Sequence, residues 1–416
     1  MGTYRIRGGN KIFGEYTVNG AKNAVLPVLA ASILSNGECV LKNVPDIKDV
    51  SSMKKILKEV GGKITEQDNM LAIDTCEICD CFVSLERMKE MRSSVFLLGA
   101  LLGRCGEAII SQPGGCDIGR RPIDLHLYAL KKLGVDINEK EGFIICKADK
   151  LTGNEIDFSF PSVGATENAI MAAVLAEGTT IIHNGAKEPE IVELQNFLNK
   201  CGAKVQGAGT KKIVIEGVNE LGGCEYTIMP DRIECGTYLV ATAMTGGEIE
   251  VIGADSLHMK TILQKLIEIG CEVYVKRDKI YVKAKKDSLF SSCLKTGPYP
   301  AFPTDLQSPF LALLTVAKGK SVVEENIFEN RFNVVNELCK MGAKIQISEG
   351  TAYIQGVENL TGGVVTAPDL RGGAALVCAG LSAEGCTIIH GTEHIERGYN
   401  DIVKTLRGLG ADIINI

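Results

Sequence analysis

The sequence lacks an excess of positive charge, an apolar leader segment and any apolar run long enough to cross a membrane. Lys and Arg number 45 against 51 Asp and Glu, a net charge of −6, which argues against a nucleic-acid-binding surface. The first six residues (MGTYRI) contain neither the apolar core of a secretory signal nor the Ser or Thr of a myristoylation motif. We therefore expect a cytoplasmic protein that binds neither nucleic acid nor a membrane, with its oligomeric state left open.

Common phosphate-binding and metal-binding motifs are missing as well. The segment GKS at 319–321 resembles the end of a P-loop, but Leu314 stands where that motif needs glycine, and no G-x-G-x-x-G occurs. Cys76, Cys79 and Cys81 form a C-x-x-C-x-C cluster without a second Cys or His pair at a zinc-site distance. The odd count of 15 cysteines favours reduced thiols. We expect neither a metal nor a cofactor.

What the sequence does contain is a sixfold repeat. Each repeat is predicted to hold an Ala-rich apolar helix, a strand, an amphipathic helix that ends at a glycine, and a hairpin. The first helix is apolar nearly all round and should be buried, whereas the second has one apolar face and should lie outside. This pattern predicts an α/β (α+β) protein of two domains with three repeats each. The helix-ending glycines are 68 to 73 residues apart, at Gly61, Gly134, Gly202, Gly270, Gly342 and Gly410.

The two ends of the chain indicate how the domains are divided. The last repeat stops after one hairpin strand, at 412–416, and the N-terminal segment 3–7 resembles the second hairpin strand of the preceding repeat at 352–356. We therefore predict that residues 1–20 complete the last repeat. The predicted domains are 21–229 and a discontinuous one of 1–20 plus 230–416, with chain crossings near 20 and near 229.

The most unusual stretch is QPGGCDIGRRPIDL at 112–125. Its prolines and glycines disfavour regular helix and strand, so Cys116 should lie on an exposed loop. Arg120 and Arg121 would favour the thiolate of a reactive cysteine, whereas the neighbouring Asp117 would disfavour it. These residues alone leave open whether Cys116 is reactive or is an incidental cysteine in a surface turn.

Charged residues recur just before the predicted inner helices. Basic residues at a helix N-terminus oppose the helix dipole by roughly 0.3–1 kcal/mol each. A bound anion would remove this conflict, because free backbone N–H groups and the dipole both attract negative charge. The alternative for each arginine is a surface ion pair, but the recurrence favours an anion-binding cleft between the two domains. The residues are Lys22, Asn23, Arg92, Arg232, Asp305 and Arg371, with Arg331 and Arg397 between an inner strand and an outer helix.

Four segments stand out together: NGAKNA at 19–24, PGGCDIGRRPIDLH at 113–126, SVGAT at 162–166 and RGY at 397–399. Together they resemble the enolpyruvyl transferase family, and within it the members specific for UDP-N-acetylglucosamine. The resemblance covers the whole chain and implies a two-domain inside-out α/β barrel built from six βαβαββ-type repeats. It implies transfer of enolpyruvyl from phosphoenolpyruvate to the 3′-hydroxyl of UDP-N-acetylglucosamine, with release of phosphate. This reaction is the first committed step of peptidoglycan synthesis.

The resemblance also implies roles for individual residues. Cys116 would protonate the methylene carbon of phosphoenolpyruvate and can attach to it covalently, while Asp305 would bind and deprotonate the sugar hydroxyl. Lys22 and Arg397 complete the implied catalytic set, and both bind phosphate together with Arg121. The remaining implied substrate contacts are Asn23, Arg92, Pro122, Ile123, Asp124, Leu125, Ser162, Val163, Gly164, Ile327, Arg331, Asp369 and Arg371.

Two other functions compete with this hypothesis. A 5-enolpyruvylshikimate-3-phosphate synthase would share the fold and the enolpyruvyl donor, but its sites lack the Gly-Gly-Cys loop that this chain keeps. A non-catalytic paralogue that binds a UDP-sugar would be free to lose Cys116, Asp305 and Lys22, all of which are present. One departure from relatives is Phe160, which stands where some of them carry a lysine near the diphosphate.

Overall fold

The computed structural model describes residues 2–67, 70–78, 81–84, 86, 95–111, 118–119 and 122–416. The chain divides into two compact units, each with its own buried core. The N-terminal unit consists of Gly20–Cys116 and Arg121–Met229, and the C-terminal unit of Met1–Asn19, Asp117–Arg120 and Pro230–Ile416. Three predicted site residues, Arg92, Cys116 and Arg121, lie outside the described residues.

The helices alternate between two kinds along the chain. Odd-numbered helices are inner ones, buried on almost every side, and even-numbered helices are outer ones that bury one side. The described residues include four short 3-10 helices, at Ser32–Leu34, Lys286–Ser288, Thr304–Leu306 and Thr392–Arg397. The described α-helices are α1 (Lys22–Ala31), α2 (Lys48–Glu59), α3 (Leu97–Cys105), α4 (Asp124–Lys132), α5 (Val163–Ala173), α6 (Pro189–Lys200), α7 (Arg232–Thr245), α8 (Lys260–Ile269), α9 (Gln307–Thr315), α10 (Val335–Lys340), α11 (Leu370–Ser382) and α12 (Ile402–Gly408).

The strands are short, three to five residues each, and most alternate buried and more exposed side chains, as expected for sheets with one face on the core. The described strands are β1 (Thr3–Arg7), β2 (Phe13–Thr17), β3 (Glu38–Lys42), β4 (Lys63–Gln67), β5 (Met70–Asp74), β6 (Glu107–Ser111), β7 (Asp136–Lys140), β8 (Phe143–Lys147), β9 (Glu155–Asp157), β10 (Thr179–His183), β11 (Lys204–Gln206), β12 (Lys212–Glu216), β13 (Glu225–Thr227), β14 (Glu248–Ile252), β15 (Glu272–Lys276), β16 (Lys279–Lys283), β17 (Cys293–Lys295), β18 (Lys320–Glu324), β19 (Lys344–Ser348), β20 (Thr351–Gln355), β21 (Val364–Thr366), β22 (Cys386–His390) and β23 (Asp412–Asn415).

Each repeat folds into one small sheet with an inner and an outer helix. In the third repeat the strand order is β11-β12-β10-β9, in which β9 and β10 are parallel and the hairpin β11–β12 is antiparallel. Within the described residues there are five such four-stranded sheets and a three-stranded one, β6-β8-β7, beside which Phe82 forms a parallel bridge to Ile109. The predicted βαβαββ repeats and the α/β fold are confirmed.

Several sheets are completed by strands that are distant in sequence. Strand β1 lies between β22 and β23 and is antiparallel to both, with Tyr4 opposite Ile389 and Asn415. Strand β1 therefore completes the last repeat. The prediction that all of residues 1–20 do so is wrong, because β2 pairs with β14 and completes the fourth repeat. Strand β13 likewise pairs with β3 in the first repeat.

The glycine at the end of each outer helix is required by its backbone. All six glycines have positive φ angles, between 91° and 110°, a region that costs other residues strain. The turn at each glycine leads directly into the first strand of the hairpin. The recurring glycine was therefore a correct marker of the helix end.

The inner helices pack against one another inside each unit. In the N-terminal unit α3 contacts both α1 and α5, and in the C-terminal unit α7, α9 and α11 contact one another. Ala and Leu are frequent in these helices, which are apolar on nearly every side and so can pack against one another in the core. Among the described residues, none of the helices combines the length and apolar character needed to cross a membrane.

A buried carboxyl group lies in the first turn of α7. Glu234 is only 2% exposed, and Asn19 donates to it from its side-chain Nδ2 at 3.0 Å and from its backbone N–H at 3.3 Å. Burial raises the pKa of Glu234 to about 7, Asp231 raises it further, and hydrogen bonds from Tyr16 and Asn19 oppose the shift. Its ordinary pKa is 4.5, so the folded protein holds this proton more tightly than the unfolded chain.

We predict that Glu234→Gln is more stable than wild type at neutral pH, and that this advantage is smaller at acid pH. As the pH rises from about 4.5 to about 7, the carboxyl group of Glu234 becomes ionised in the unfolded chain before it does so in the folded protein. The free energy of unfolding of the wild-type protein therefore falls by about 3 kcal/mol. The variant cannot ionise, so its advantage over wild type should grow across this window in urea unfolding. Glu272→Gln, at an exposed position, is the control. Parallel pH curves for wild type and Glu234→Gln would contradict the prediction.

Candidate active site

Asp305 is the centre of a charged cluster in the C-terminal unit. It lies in the 3-10 helix Thr304–Leu306, directly before α9. Arg331, between β18 and α10, donates from Nη2 to Oδ1 at 2.5 Å, and Arg371, the second residue of α11, donates from Nη2 to Oδ2 at 2.9 Å. The sequence predicts all three as site residues, and the structure brings them into direct contact.

The cluster combines buried cations with a reachable carboxylate. The side chains of Arg331 and Arg371 are each 3% exposed, whereas that of Asp305 is 25% exposed. Burial lowers the pKa of Arg371, but Asp305 and Tyr399 outweigh this effect, so its pKa lies above the ordinary value. The three charged groups sum to +1, which favours an anionic ligand beside them.

Arg371 is oriented by two residues that are not among the predicted site residues. Its Nη1 donates to the hydroxyl of Tyr399 at 3.2 Å, and that hydroxyl lies 2.8 Å from Oγ1 of Thr237. The guanidinium carbon also lies 5.6 Å from the centre of the Tyr399 ring, within cation–π range. Burial raises the pKa of Tyr399 to about 12, against the lowering effect of Arg371. Tyr399 could have been found, because it belongs to the RGY segment.

Asp369 has a structural role and an unsatisfied oxygen. It caps α11, with Oδ1 accepting from the backbone N–H groups of Arg371 at 2.9 Å and Gly372 at 3.0 Å. Its Oδ2 is buried and has no hydrogen-bond partner within the described part of the chain. Buried polar atoms are nearly always hydrogen-bonded, so this oxygen is a candidate contact for a donor on a ligand.

The remaining predicted residues of the C-terminal unit lie on connecting segments. Arg397 ends the 3-10 helix Thr392–Arg397 after β22 and is half-buried. Ile327 follows β18, is half-buried, and donates its backbone N–H to Oε1 of Glu325 at 2.8 Å. Arg232, the first residue of α7, is buried with its guanidinium 5.7 Å from the ring centre of Tyr299.

In the N-terminal unit, Lys22 is the first residue of the inner helix α1. Its Nζ lies 2.8 Å from Oδ2 of Asp49, and the two side chains are 9% and 3% exposed. Asp49, in the first turn of α2, offsets the conflict between a lysine and the positive end of α1. Asn23 follows as a half-buried residue. Asp49 was missed because no local motif connects it with Lys22.

We predict that Asp49→Asn destabilises the N-terminal unit. Removing one partner of a buried ion pair leaves the other charge uncompensated, which should lower the free energy of unfolding by about 3 kcal/mol. Urea unfolding measures the change. Glu77→Gln, which breaks an exposed ion pair with Lys63, should change stability little. Equal effects of the two substitutions would show that Asp49 does not stabilise the buried Lys22.

The predicted nucleotide contacts form the N-terminus of α5. Ser162 caps this helix, since its Oγ accepts from the N–H of Ala165 at 3.4 Å, and Val163 and Gly164 form the first turn. A Cβ at Gly164 would lie 2.7 Å from Nε2 of His126, so a larger residue here would require the His126 ring to move. A helix N-terminus of this kind attracts anions such as phosphate.

A second predicted segment lies beside the first. Asp124 and Leu125 begin α4, which packs against α5, and Pro122 and Ile123 precede it. Pro122 and Asp124 are exposed, and Ile123 and Leu125 are half-buried. The structure thus brings the segments 122–125 and 162–164 together, while Arg121, Arg92 and Cys116 lie outside the described residues.

Comparison with known proteins agrees with this geometry. The chain is 51% identical over 416 residues to UDP-N-acetylglucosamine 1-carboxyvinyltransferase 2 of Caldanaerobacter subterraneus subsp. tengcongensis, with each chain fully covered. It is 48% identical over 418 residues to UDP-N-acetylglucosamine 1-carboxyvinyltransferase of Clostridium botulinum, again with full coverage of both.

Solved structures support the fold independently. The enolpyruvyl transferase NikO from Streptomyces tendae superimposes with a TM-score of 0.91 at 23% identity, covering 100% of this chain and 98% of that one. EPSP synthase from Acinetobacter baumannii superimposes with a TM-score of 0.75 at 18% identity, with full coverage of both. The family model for EPSP synthase (3-phosphoshikimate 1-carboxyvinyltransferase) matches residues 6–406. The chain therefore belongs to the enolpyruvyl transferase family, in which its relatives are the UDP-N-acetylglucosamine 1-carboxyvinyltransferases.

Proposed function

We propose that this protein transfers the enolpyruvyl group of phosphoenolpyruvate to the 3′-hydroxyl of UDP-N-acetylglucosamine and releases phosphate. The observation that carries the proposal is the full-length identity of 51% with a relative that bears the corresponding name. The buried arginines around a reachable carboxylate suit a reaction between an anionic donor and a sugar hydroxyl.

The first step is an addition to the double bond of phosphoenolpyruvate. Asp305 would take the proton of the sugar hydroxyl, whose oxygen then forms a bond to carbon 2. Cys116, which lies outside the described residues, would give its proton to carbon 3, so the electron pair of the double bond ends in the new C–H bond. One acid and one base on the two reacting partners are what this step requires.

The second step is an elimination from the tetrahedral intermediate. Carbon 3 returns a proton to the Cys116 thiolate, and the double bond forms again. The C–O bond to phosphate breaks with its electron pair on the departing phosphate, which takes the proton held by Asp305. Lys22, Arg121 and Arg397 would bind this phosphate and stabilise its developing charge. No electrons are gained or lost overall, so the proposed reaction needs no redox partner.

The other predicted residues would bind the two substrates. Ser162, Val163 and Gly164 present a helix N-terminus suited to the diphosphate, and we propose that residues 121–125 contact the nucleotide beside them. Arg92, Arg331 and Arg371 would contact anionic groups. Asn23, Ile327 and Asp369 would contact the sugar and the reacting centre.

In the cell this reaction would be the first committed step of peptidoglycan synthesis. Its loss would impair cell-wall biogenesis, cell shape and cell division. We propose a cytoplasmic location, because both substrates are phosphorylated metabolites of that compartment.

The test is phosphate release from phosphoenolpyruvate by the purified protein, with UDP-N-acetylglucosamine in one reaction and shikimate-3-phosphate in another. Release in the first reaction alone is expected. Release in the second alone would assign the protein to the shikimate branch of the family. Tight UDP-sugar binding without release in either reaction would indicate a non-catalytic binding protein.

A further inference from the structure

Three cysteines converge in the core of the N-terminal unit, apart from the candidate active site. The sulfur atoms of Cys39, Cys201 and Cys224 all lie within 4.8 Å of one another, and those of Cys201 and Cys224 are 3.4 Å apart. Among the described residues this is the only group of three or more His, Cys, Asp or Glu side chains so arranged. We call it the thiol cluster.

The thiol cluster joins three separate elements of the fold. Cys39 lies on β3, Cys201 caps the C-terminus of α6, and Cys224 directly precedes β13. The backbone holds these positions: the N–H of Val40 donates to the carbonyl of Cys224 at 2.8 Å, and the N–H of Gly222 donates to the carbonyl of Cys201 at 2.8 Å. The sulfur atoms are therefore positioned by secondary structure, as metal ligands must be.

The spacing and burial suit a soft metal ion. A Zn–S bond of about 2.3 Å in tetrahedral geometry separates two sulfur ligands by roughly 3.8 Å. This value lies between the 3.4 Å that separates Cys201 from Cys224 and the 4.8 Å limit of the cluster. Cys39 and Cys201 are buried, whereas Cys224 is half-exposed. A fourth ligand from solvent could therefore reach an ion from the Cys224 side.

The charge balance favours a divalent ion. Three thiolates around Zn²⁺ leave a net charge of −1, whereas three around a monovalent ion leave −2 in the same buried place. Lys200, next to Cys201, acts electrostatically on Cys224 and can offset one negative charge. Thiolate ligands also select zinc over magnesium, calcium and manganese.

We propose that Cys39, Cys201 and Cys224 form a zinc-class metal site that stabilises the pairing of β13 with β3 in the first repeat. Binding would form three metal–sulfur bonds and release the three thiol protons to solvent. The ion would link β3, the C-terminus of α6 and the residue before β13. Its binding should therefore increase the stability of the N-terminal unit. This site is independent of the proposed transferase activity, and it differs from the absence of a metal that we expect from the sequence.

The proposal is tested with Co²⁺ as a spectroscopic probe, added to reduced full-length protein in a Cys116→Ser background that removes the loop thiol. We expect one equivalent to bind with a thiolate-to-cobalt charge-transfer band and to be displaced by Zn²⁺. Loss of an outer-shell partner of a metal site weakens metal binding roughly 10- to 100-fold. Cys224→Ser removes a direct ligand, so it should weaken Co²⁺ binding by more than this. Cys146→Ser, at a buried position outside the cluster, should leave the band unchanged.

A second readout is protection of individual thiols. Zn²⁺ should slow alkylation of Cys39, Cys201 and Cys224 in the unfolding range of urea and raise the thermal midpoint, with both effects lost in Cys224→Ser. Absence of a stoichiometric band, or an equal band in Cys224→Ser, would overturn the proposal. If Cys39→Ser fails to fold, the half-exposed Cys224 still permits the comparison.

Discussion

Asp305→Asn is expected to slow turnover at least about a hundredfold, the lower end of what general acid–base catalysis contributes. The substitution keeps the shape of the side chain but removes the proposed proton acceptor. It also removes the negative charge between Arg331 and Arg371, whose side chains are both 3% exposed. The measurement is the turnover number from phosphate release at saturating substrates, with the dissociation constant of UDP-N-acetylglucosamine measured by calorimetry.

The comparison of turnover with binding separates a catalytic role from a structural one. A lost proton acceptor lowers turnover and changes the dissociation constant little, whereas misplaced arginines weaken binding as well. Asp401→Asn, at the exposed N-cap of α12, is a control that should retain activity. Near-normal turnover of Asp305→Asn would remove Asp305 from the proposed mechanism.

Cys116→Ser is expected to abolish covalent labelling by an epoxide phosphonate such as fosfomycin. A serine hydroxyl is far less nucleophilic than a thiolate at neutral pH, so the rate of labelling should fall below detection. The labelled fraction is measured by mass spectrometry of the intact protein with UDP-N-acetylglucosamine present. Binding of the nucleotide sugar should be largely retained.

The many other cysteines require a matched control for this experiment. Cys76→Ser and Cys386→Ser remove exposed thiols elsewhere and should be labelled as fast as wild type. Labelling of Cys116→Ser at the parental rate would show that the nucleophile is another residue.

Features that repeat along the chain were predictable from the sequence alone. Gly61 and its five equivalents share one backbone conformation, so the same residue recurs for the same physical reason. Lys22, Arg232 and Arg371 were correctly placed at the N-termini of inner helices, because the apolar pattern marks where those helices begin.

Contacts between distant residues were not predictable in this way. Thr237 and Tyr399 meet across 162 residues, and Asp49 reaches Lys22 only because α2 packs against α1. The three cysteines of the thiol cluster have no common local motif, whereas the sequence pattern points to Cys76, Cys79 and Cys81 instead. Such contacts depend on strand register and helix packing, which a linear pattern does not specify.

The pairing of β1 with β22 and β23 has a consequence for synthesis on the ribosome. The N-terminal unit can fold once residue 229 has emerged, but β1 and β2 are made first and their partners lie among the remaining 187 residues. At roughly 5–20 residues per second, the last partner of β1 arrives about 10–40 s later. During this interval two strands of the nascent chain, β1 and β2, lack their partners, and their exposed edges are open to pairing with another nascent chain on the same messenger RNA.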